Sequence, residues 1–229
     1  MKVLVACEES QVVCKAFREK GHEAYSCDLI SPSGEHPEWH IKGDVIPLLN
    51  GDCIFKTMDG KKHKVGGKWD MIIAFPPCTH LAVSGAKHFE KKREDGRQKR
   101  AIKLFGTILN CDCDRVCVEN PIGIISGEYI LKYFPKLCKK YGLPRKPTQI
   151  IQPYEYGHPN RKATCLWIKG MEPLKPTKLV KPDIVTYTRS DGRKTTFSRH
   201  MTEFPSEGRA LRRSKTFEGV AKAMANQWG

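Results

Sequence analysis

Trp69-Asp70-Met71-Ile72-Ile73-Ala74-Phe75 runs directly into Pro76-Pro77-Cys78-Thr79-His80, and the reading of this stretch decides the fold. A short, almost wholly apolar run closed by a proline pair predicts a strand buried on both faces. Working outward, Lys2–Cys7 (KVLVAC) predicts a second buried strand, followed by an amphipathic helix over Gln11–Lys20 that stops at Gly21. Glu23–Leu29 reads as a strand closing on Asp28, and His40–Val45 leads to Gly43-Asp44, just past a third strand. Downstream, apolar residues at 101, 102, 104, 105, 108 and 109 form a helical stripe within Gln98–Asn110. Arg115–Val118 predicts a fifth strand, and Gly127–Tyr141 a helix that carries Pro135 inside it. Alternation of this kind implies an α/β fold, a mostly parallel sheet with helices on both faces. Ligands in such folds bind beyond the carboxyl ends of the strands.

Two basic insertions interrupt the alternation. Cys53–Val65 holds Asp59-Gly60 between two short apolar-basic runs and reads as a β-hairpin. Residues 169–213 contain 11 Lys+Arg and 5 Asp+Glu among many turn residues, with a second hairpin expected over Thr186–Ser198 around Asp191-Gly192. The expected organisation is a catalytic core over 1–168, a short recognition-like segment over 169–213, and a C-terminal helix over 214–229 that returns to the core.

The chain has 229 residues, with 40 Lys+Arg against 25 Asp+Glu, a net charge of +15. That surplus predicts a polyanionic partner, DNA being the commonest. The longest charge-free run, Met71–Ala86, is too short and too broken by Pro76-Pro77 to span a membrane. The opening MKVLVACEES meets acidic residues too early for a secretory signal. A cytoplasmic protein with no membrane association is therefore expected. Ten cysteines are scattered irregularly, and the Cys111, Cys113, Cys117 cluster lacks a CxxC pair or a nearby His. They read as free thiols, and no metal is expected.

Cys78 differs from the rest, because the two prolines fix it on a rigid loop at the end of the most apolar strand. Val118-Glu119-Asn120-Pro121 puts a carboxylate at the end of another strand. A thiol and a carboxyl converging at one sheet edge suit covalent attack with acid assistance on a ring nitrogen. On these two features alone, a small packed cysteine and a turn-capping glutamate fit equally well.

The order of the motifs resembles that of the C5-cytosine DNA methyltransferases, particularly the small, often phage-encoded members. Trp69–Ala86 with its trailing Ser84-Gly85 resembles the family's nucleophile segment, and Val118-Glu119-Asn120 its Glu-Asn signature. Glu155–Arg161 (EYGHPNR) resembles the segment that brings basic side chains to the target base. The resemblance implies a Rossmann-like, S-adenosylmethionine-dependent methyltransferase fold. It implies Cys78 as nucleophile, Glu119 as the group on N3 and the exocyclic amine, and Arg161 or Lys162 as the basic partner. Pro76, Thr79, Ser84, Asn120 and Asn160 are the implied substrate contacts. Asp28 and Asp44 fall where the family binds the ribose and adenine of S-adenosylmethionine, with Ser10 and Pro77 completing the implied cofactor set.

The chain departs from the family in its first loop, Ala6-Cys7-Glu8-Glu9-Ser10-Gln11, which has no glycine. Glu8 is the expected partner of the cofactor's ammonium group there. The loop Lys87–Arg100, with seven Lys+Arg and three acids, is expected to close over an extruded nucleotide. Together with the 53–65 hairpin and the 169–213 segment it is expected to ring the mouth of the Cys78 cleft. Two other functions remain open on sequence: C5 chemistry on a free nucleotide or with another donor, and DNA binding without catalysis.

Overall fold

Strands buried on both faces need cover on both sides, and the chain supplies it. The structure, a computed structural model, describes residues 1–199 and 209–229. It contains β1 (Lys2–Ala6), α1 (Val12–Glu19), β2 (Glu23–Asp28), β3 (His40–Lys42), β4 (Cys53–Lys56), β5 (Lys62–Val65) and β6 (Met71–Ala74). These are followed by α2 (Phe89–Glu94), α3 (Arg97–Leu109), β7 (Val116–Pro121), α4 (Glu128–Tyr133), α5 (Pro135–Tyr141), β8 (Gln149–Ile151) and β9 (Thr164–Lys169). β10 (Ile184–Thr188), β11 (Lys194–Ser198), α6 (Arg209–Ser214) and α7 (Glu218–Trp228) complete the described chain.

Seven strands form the central sheet in the order β3-β2-β1-β6-β7-β9-β8. β1, β2, β3, β6 and β7 are parallel, and β9 runs antiparallel between β7 and β8. This is the mostly parallel, Rossmann-like sheet with helices on both faces expected above. Alternation along each strand sends Leu4, Ala6, Ile72, Ala74 and Val118 to one core, under α3 and α5. Val3, Val5, Met71, Ile73 and Cys117 go to the other, under α1 and α7. The order reverses between β1 and β6, so the loops leaving these two strands flank the switch-point crevice.

Four local expectations change. The single helix over Gly127–Tyr141 is two helices, because Phe134 is driven out of helical geometry by the following Pro135, which then starts α5. The basic loop Lys87–Arg100 is largely α2 and the first turn of α3, separated at Asp95-Gly96. The fifth strand extends past Val118 to Pro121, since antiparallel pairing with β9 carries Glu119, Asn120 and Pro121 into the sheet. The 53–65 hairpin forms, but away from the crevice. Its base is tied to the strand-entry edge by Asp52 N–H to Gly67 O (2.8 Å), beside the Lys68–Asp112 ion pair. Its face packs Phe55 and His63 on Tyr25 and Trp69.

The second hairpin is β10–β11, joined around Asp191-Gly192 and largely exposed. Part of the 169–213 segment, residues 200–208, lies outside the described residues. α7 packs on α1 and buries Val220, Ala221, Ala223, Met224, Ala225 and Trp228. Among the described residues no helix is long and apolar enough to cross a membrane.

Candidate active site

The loop after β6 is held from several directions. Asn120, buried in β7, donates its amide to Pro76 O at 2.7 Å. Val83 N–H reaches Ile122 O, and Ile124 N–H reaches Leu81 O, so the loop is stitched to the segment leaving β7. Gly123 permits that approach, because a Cβ there would lie 2.5 Å from Leu81 O. Cys78 O receives the N–H groups of both Leu81 and Ala82 at 2.9 Å. Gln98 of α3 donates to His80 O (3.3 Å), and Lys92 of α2 donates to Thr79 O (2.6 Å).

All ten cysteines are free; eight are buried, Cys7 is half-buried, and Cys78 is the exposed one. Cys113 spends its thiol on Trp69 O and Arg115 O, while Cys117 points into the opposite core from Cys111 and Cys113. No group of three His, Cys, Asp or Glu among the described residues is arranged to hold a metal.

Glu119 and Lys162 line a narrow cleft of about 20 Å³ with Phe75, Leu166, Phe217, Val220 and Met224. Burial pushes the Glu119 carboxyl above the usual range, and the Lys162 ammonium opposes this. Cys78 lies within electrostatic reach of both. Packing around its loop partly desolvates the thiol and raises its pKa, and the Glu119 charge adds to that. Lys162 and Lys92 pull it back down. Lys162 donates to Arg213 O at 3.0 Å and sits 5.9 Å from the Phe217 ring centre. Of the two basic candidates, Lys162 therefore faces the cleft, while Arg161 is exposed and its N–H binds Ser198 Oγ at the foot of β11. Asn160 is half-buried beside it; Thr79 and Ser84 are exposed on the nucleophile loop, and Pro77 is exposed above buried Pro76.

The first loop lies across the crevice. Glycine is replaced there by two non-glycine residues in left-handed geometry, Cys7 and Gln11, each with φ 57. Gln11 is held by its side chain, which donates to Ser26 Oγ and His36 O and accepts from His36 N–H. Glu8 does not face the crevice as a free carboxylate. Its oxygens accept the N–H groups of Val13 (2.6 Å) and Cys14 (3.2 Å), closing the first turn of α1. Burial still pushes its pKa to about 7.

Glu9 is the residue the sequence reading passed over. It is 7% exposed, and neither carboxylate oxygen has a hydrogen-bond partner. An unpaired buried carboxylate is costly and calls for a cationic or donor ligand. Ser10, next to it, is buried as well. Asp28 at the end of β2 and exposed Asp44 after β3 both act on the Cys7 thiol, raising its pKa alongside burial. The carboxylates of Glu9, Asp28 and Asp44 thus share the strand-exit edge. That donor set fits a ligand carrying an ammonium group and hydroxyls.

No family model matches the chain, and no curated protein matches it. Among solved structures, it is similar to a prophage-encoded protein of E. coli assigned as a DNA modification methyltransferase. That match has 13% identity and a TM-score of 0.43, covering 79% of this chain and 52% of the other. It is also similar to a variant of Spodoptera frugiperda DNMT2, at 16% identity and a TM-score of 0.42, covering 80% and 57%. The chain therefore spans just over half the length of the solved chains it matches. Likeness this distant assigns no residue and no substrate.

Proposed function

We propose that the protein is an S-adenosylmethionine-dependent methyltransferase acting on C5 of cytosine in DNA. The observation that carries this reading is that Glu119 and Lys162 line one cleft and both act electrostatically on exposed Cys78, while Glu9, on the loop after β1, is left unpartnered. Cys78 adds to C6 as the thiolate, forming an S–C6 bond and moving the C5–C6 π pair onto the ring. Glu119, its carboxyl kept protonated to higher pH by burial, hydrogen-bonds N3 and stabilises the charge arriving there. Lys162 supplies positive charge beside the same ring, and the Phe75 and Phe217 side chains offer it an apolar wall. Glu9 would hold the cofactor's ammonium group, Asp28 its ribose and Asp44 its adenine. Bound S-adenosylmethionine supplies an electrophilic methyl group, which suits a C5 made nucleophilic by addition at C6. Loss of the C5 proton to solvent then breaks the S–C6 bond and frees Cys78.

DNA as the substrate is supported by the +15 charge. Exposed basic residues include Lys87 and Lys91 after the Cys78 loop, Arg161 beside Lys162, and Arg189, Arg193 and Lys194 at the tip of the β10–β11 hairpin. A base in a duplex must leave the stack before Cys78 can reach its C6.

The test uses labelled S-adenosylmethionine with duplex DNA, single-stranded DNA and dCMP. Label in DNA that vanishes with Cys78→Ser, and a covalent complex with 5-fluorocytosine DNA, are the expected results. Label confined to dCMP moves the substrate to a nucleotide. No label with any substrate, alongside DNA binding, leaves a binding protein on this fold.

A further inference from the structure

Lys92 is 6% exposed, yet among the described residues it has no carboxylate partner. Its one hydrogen bond goes to Thr79 O at 2.6 Å, and it lies 5.9 Å from the Phe89 ring centre. Burying a lysine ammonium without a counter-ion opposes stability, so the site is retained against its cost. The surroundings are shaped to accept it. A Cβ on Gly85 would lie 2.8 Å from Lys92 Nζ and 3.5 Å from Thr79 O, so this position leaves room for the ammonium under the loop. The residue bonded by Lys92 directly follows Cys78.

We infer that Lys92 is a positioning residue for the nucleophile: a cation set beneath the Cys78 loop that fixes the Thr79 carbonyl and favours the thiolate. This rests on the proposed function and deepens it by adding α2 to the groups that favour the thiolate, beside the larger influence of Lys162. The charged groups facing Cys78 are Glu119 from β7, Lys162 from the segment before β9, and Lys92 from α2. Glu119 disfavours the thiolate, while Lys162 and Lys92 favour it. Lys92 has a second neighbour in His80, whose imidazole is held below its usual pKa by partial burial and by this ammonium. The two lysines differ in one respect: Lys162 acts on both Cys78 and Glu119, whereas Lys92 acts on Cys78 and His80.

The experiment needs neither cofactor nor DNA, so it is independent of whether the methyltransferase reading stands. Cys78 is the exposed thiol of the ten, and its alkylation by iodoacetamide is followed from pH 6 to 10 by mass spectrometry, with Cys78→Ser as the site control. In Lys92→Met the midpoint of the rate profile should move to higher pH, and the rate near neutrality should fall about threefold to tenfold. Lys92→Arg should restore most of the rate. Should Lys92→Met fail to fold, Gly85→Ala retains the charge and displaces the ammonium, and it should slow alkylation in the same direction. A folded Lys92→Met or Gly85→Ala whose profile superposes on that of the unaltered protein overturns the inference. So does an Arg variant no faster than Met.

Discussion

The two loops at the switch point, Pro76–Gly85 after β6 and Cys7–Gln11 after β1, are built on opposite principles. The loop after β6 is held from many sides: Asn120, Gln98, Lys92 and the backbone of Ile122–Ile124 all bind it. Its cysteine, with Pro77, Thr79, Val83 and Ser84, is left facing water. The first loop is constrained too, through Gln11 and Glu8, but it keeps left-handed geometry at two non-glycine residues and a carboxylate with nothing to bind. Left-handed geometry at such residues costs about 1–2 kcal/mol each. One loop leaves only an imidazole nitrogen of His80 buried without a partner; the other leaves a whole carboxylate.

The contrast is sharpest at Glu119, which serves the side of the loop after β6. Glu119→Gln should lower the methylation rate about 10²- to 10⁴-fold in a single-turnover assay while sparing DNA affinity. Equal losses in rate and affinity would make Glu119 a binding group instead. On the other side, Glu9→Gln should weaken S-adenosylhomocysteine binding about tenfold or more by calorimetry. The same change should raise the melting temperature of the unliganded protein, because it removes an unpaired buried charge. A variant that binds as well as the original, or melts lower, erases the distinction between the loops.

Gly123→Ala probes the stitching. Its Cβ would press on Leu81 O, and the expected loss is about 1–3 kcal/mol in denaturant unfolding, with slowed methylation. The smallest effect concerns Glu8. Its folded pKa of about 7 lies above the ordinary carboxyl value of 4.5, so the folded state holds the proton more tightly than the unfolded. That contribution is present below about pH 4.5 and is lost as the pH rises to about 7. Comparing melts at pH 5 and pH 8, Glu8→Gln should show a smaller decline than the unaltered protein, and an identical decline would assign the proton elsewhere.

Much of the architecture was legible because burial on both faces writes itself as apolar runs, as in KVLVA and MIIA. Asp59-Gly60 and Asp191-Gly192 marked both hairpins for the same local reason. Cys78 and Glu119 stood out since each closes such a run. The end of β7 was not legible: Glu119-Asn120-Pro121 reads as a loop until β9, more than forty residues later, pairs with it. Lys92 was hidden in a run of charges whose solvated appearance gives no sign that one member turns inward. Glu8 and Glu9 are chemically identical neighbours, and only the register of α1's first turn decides which is capped and which is left open. The 53–65 hairpin carries charge as expected, but its anchoring at strand entry removes it from the cleft's rim.

α7 and the residue before it close the cleft from the far end of the chain: Phe217, Val220 and Met224 face Glu119 across it, and Gly219 N–H is held by His158 Nε2. During synthesis Cys78, Glu119 and the strands that carry them emerge well before this wall does, so the cleft takes shape only when α7 docks on α1. A nascent chain lacks the wall of its own cleft until translation has passed that helix.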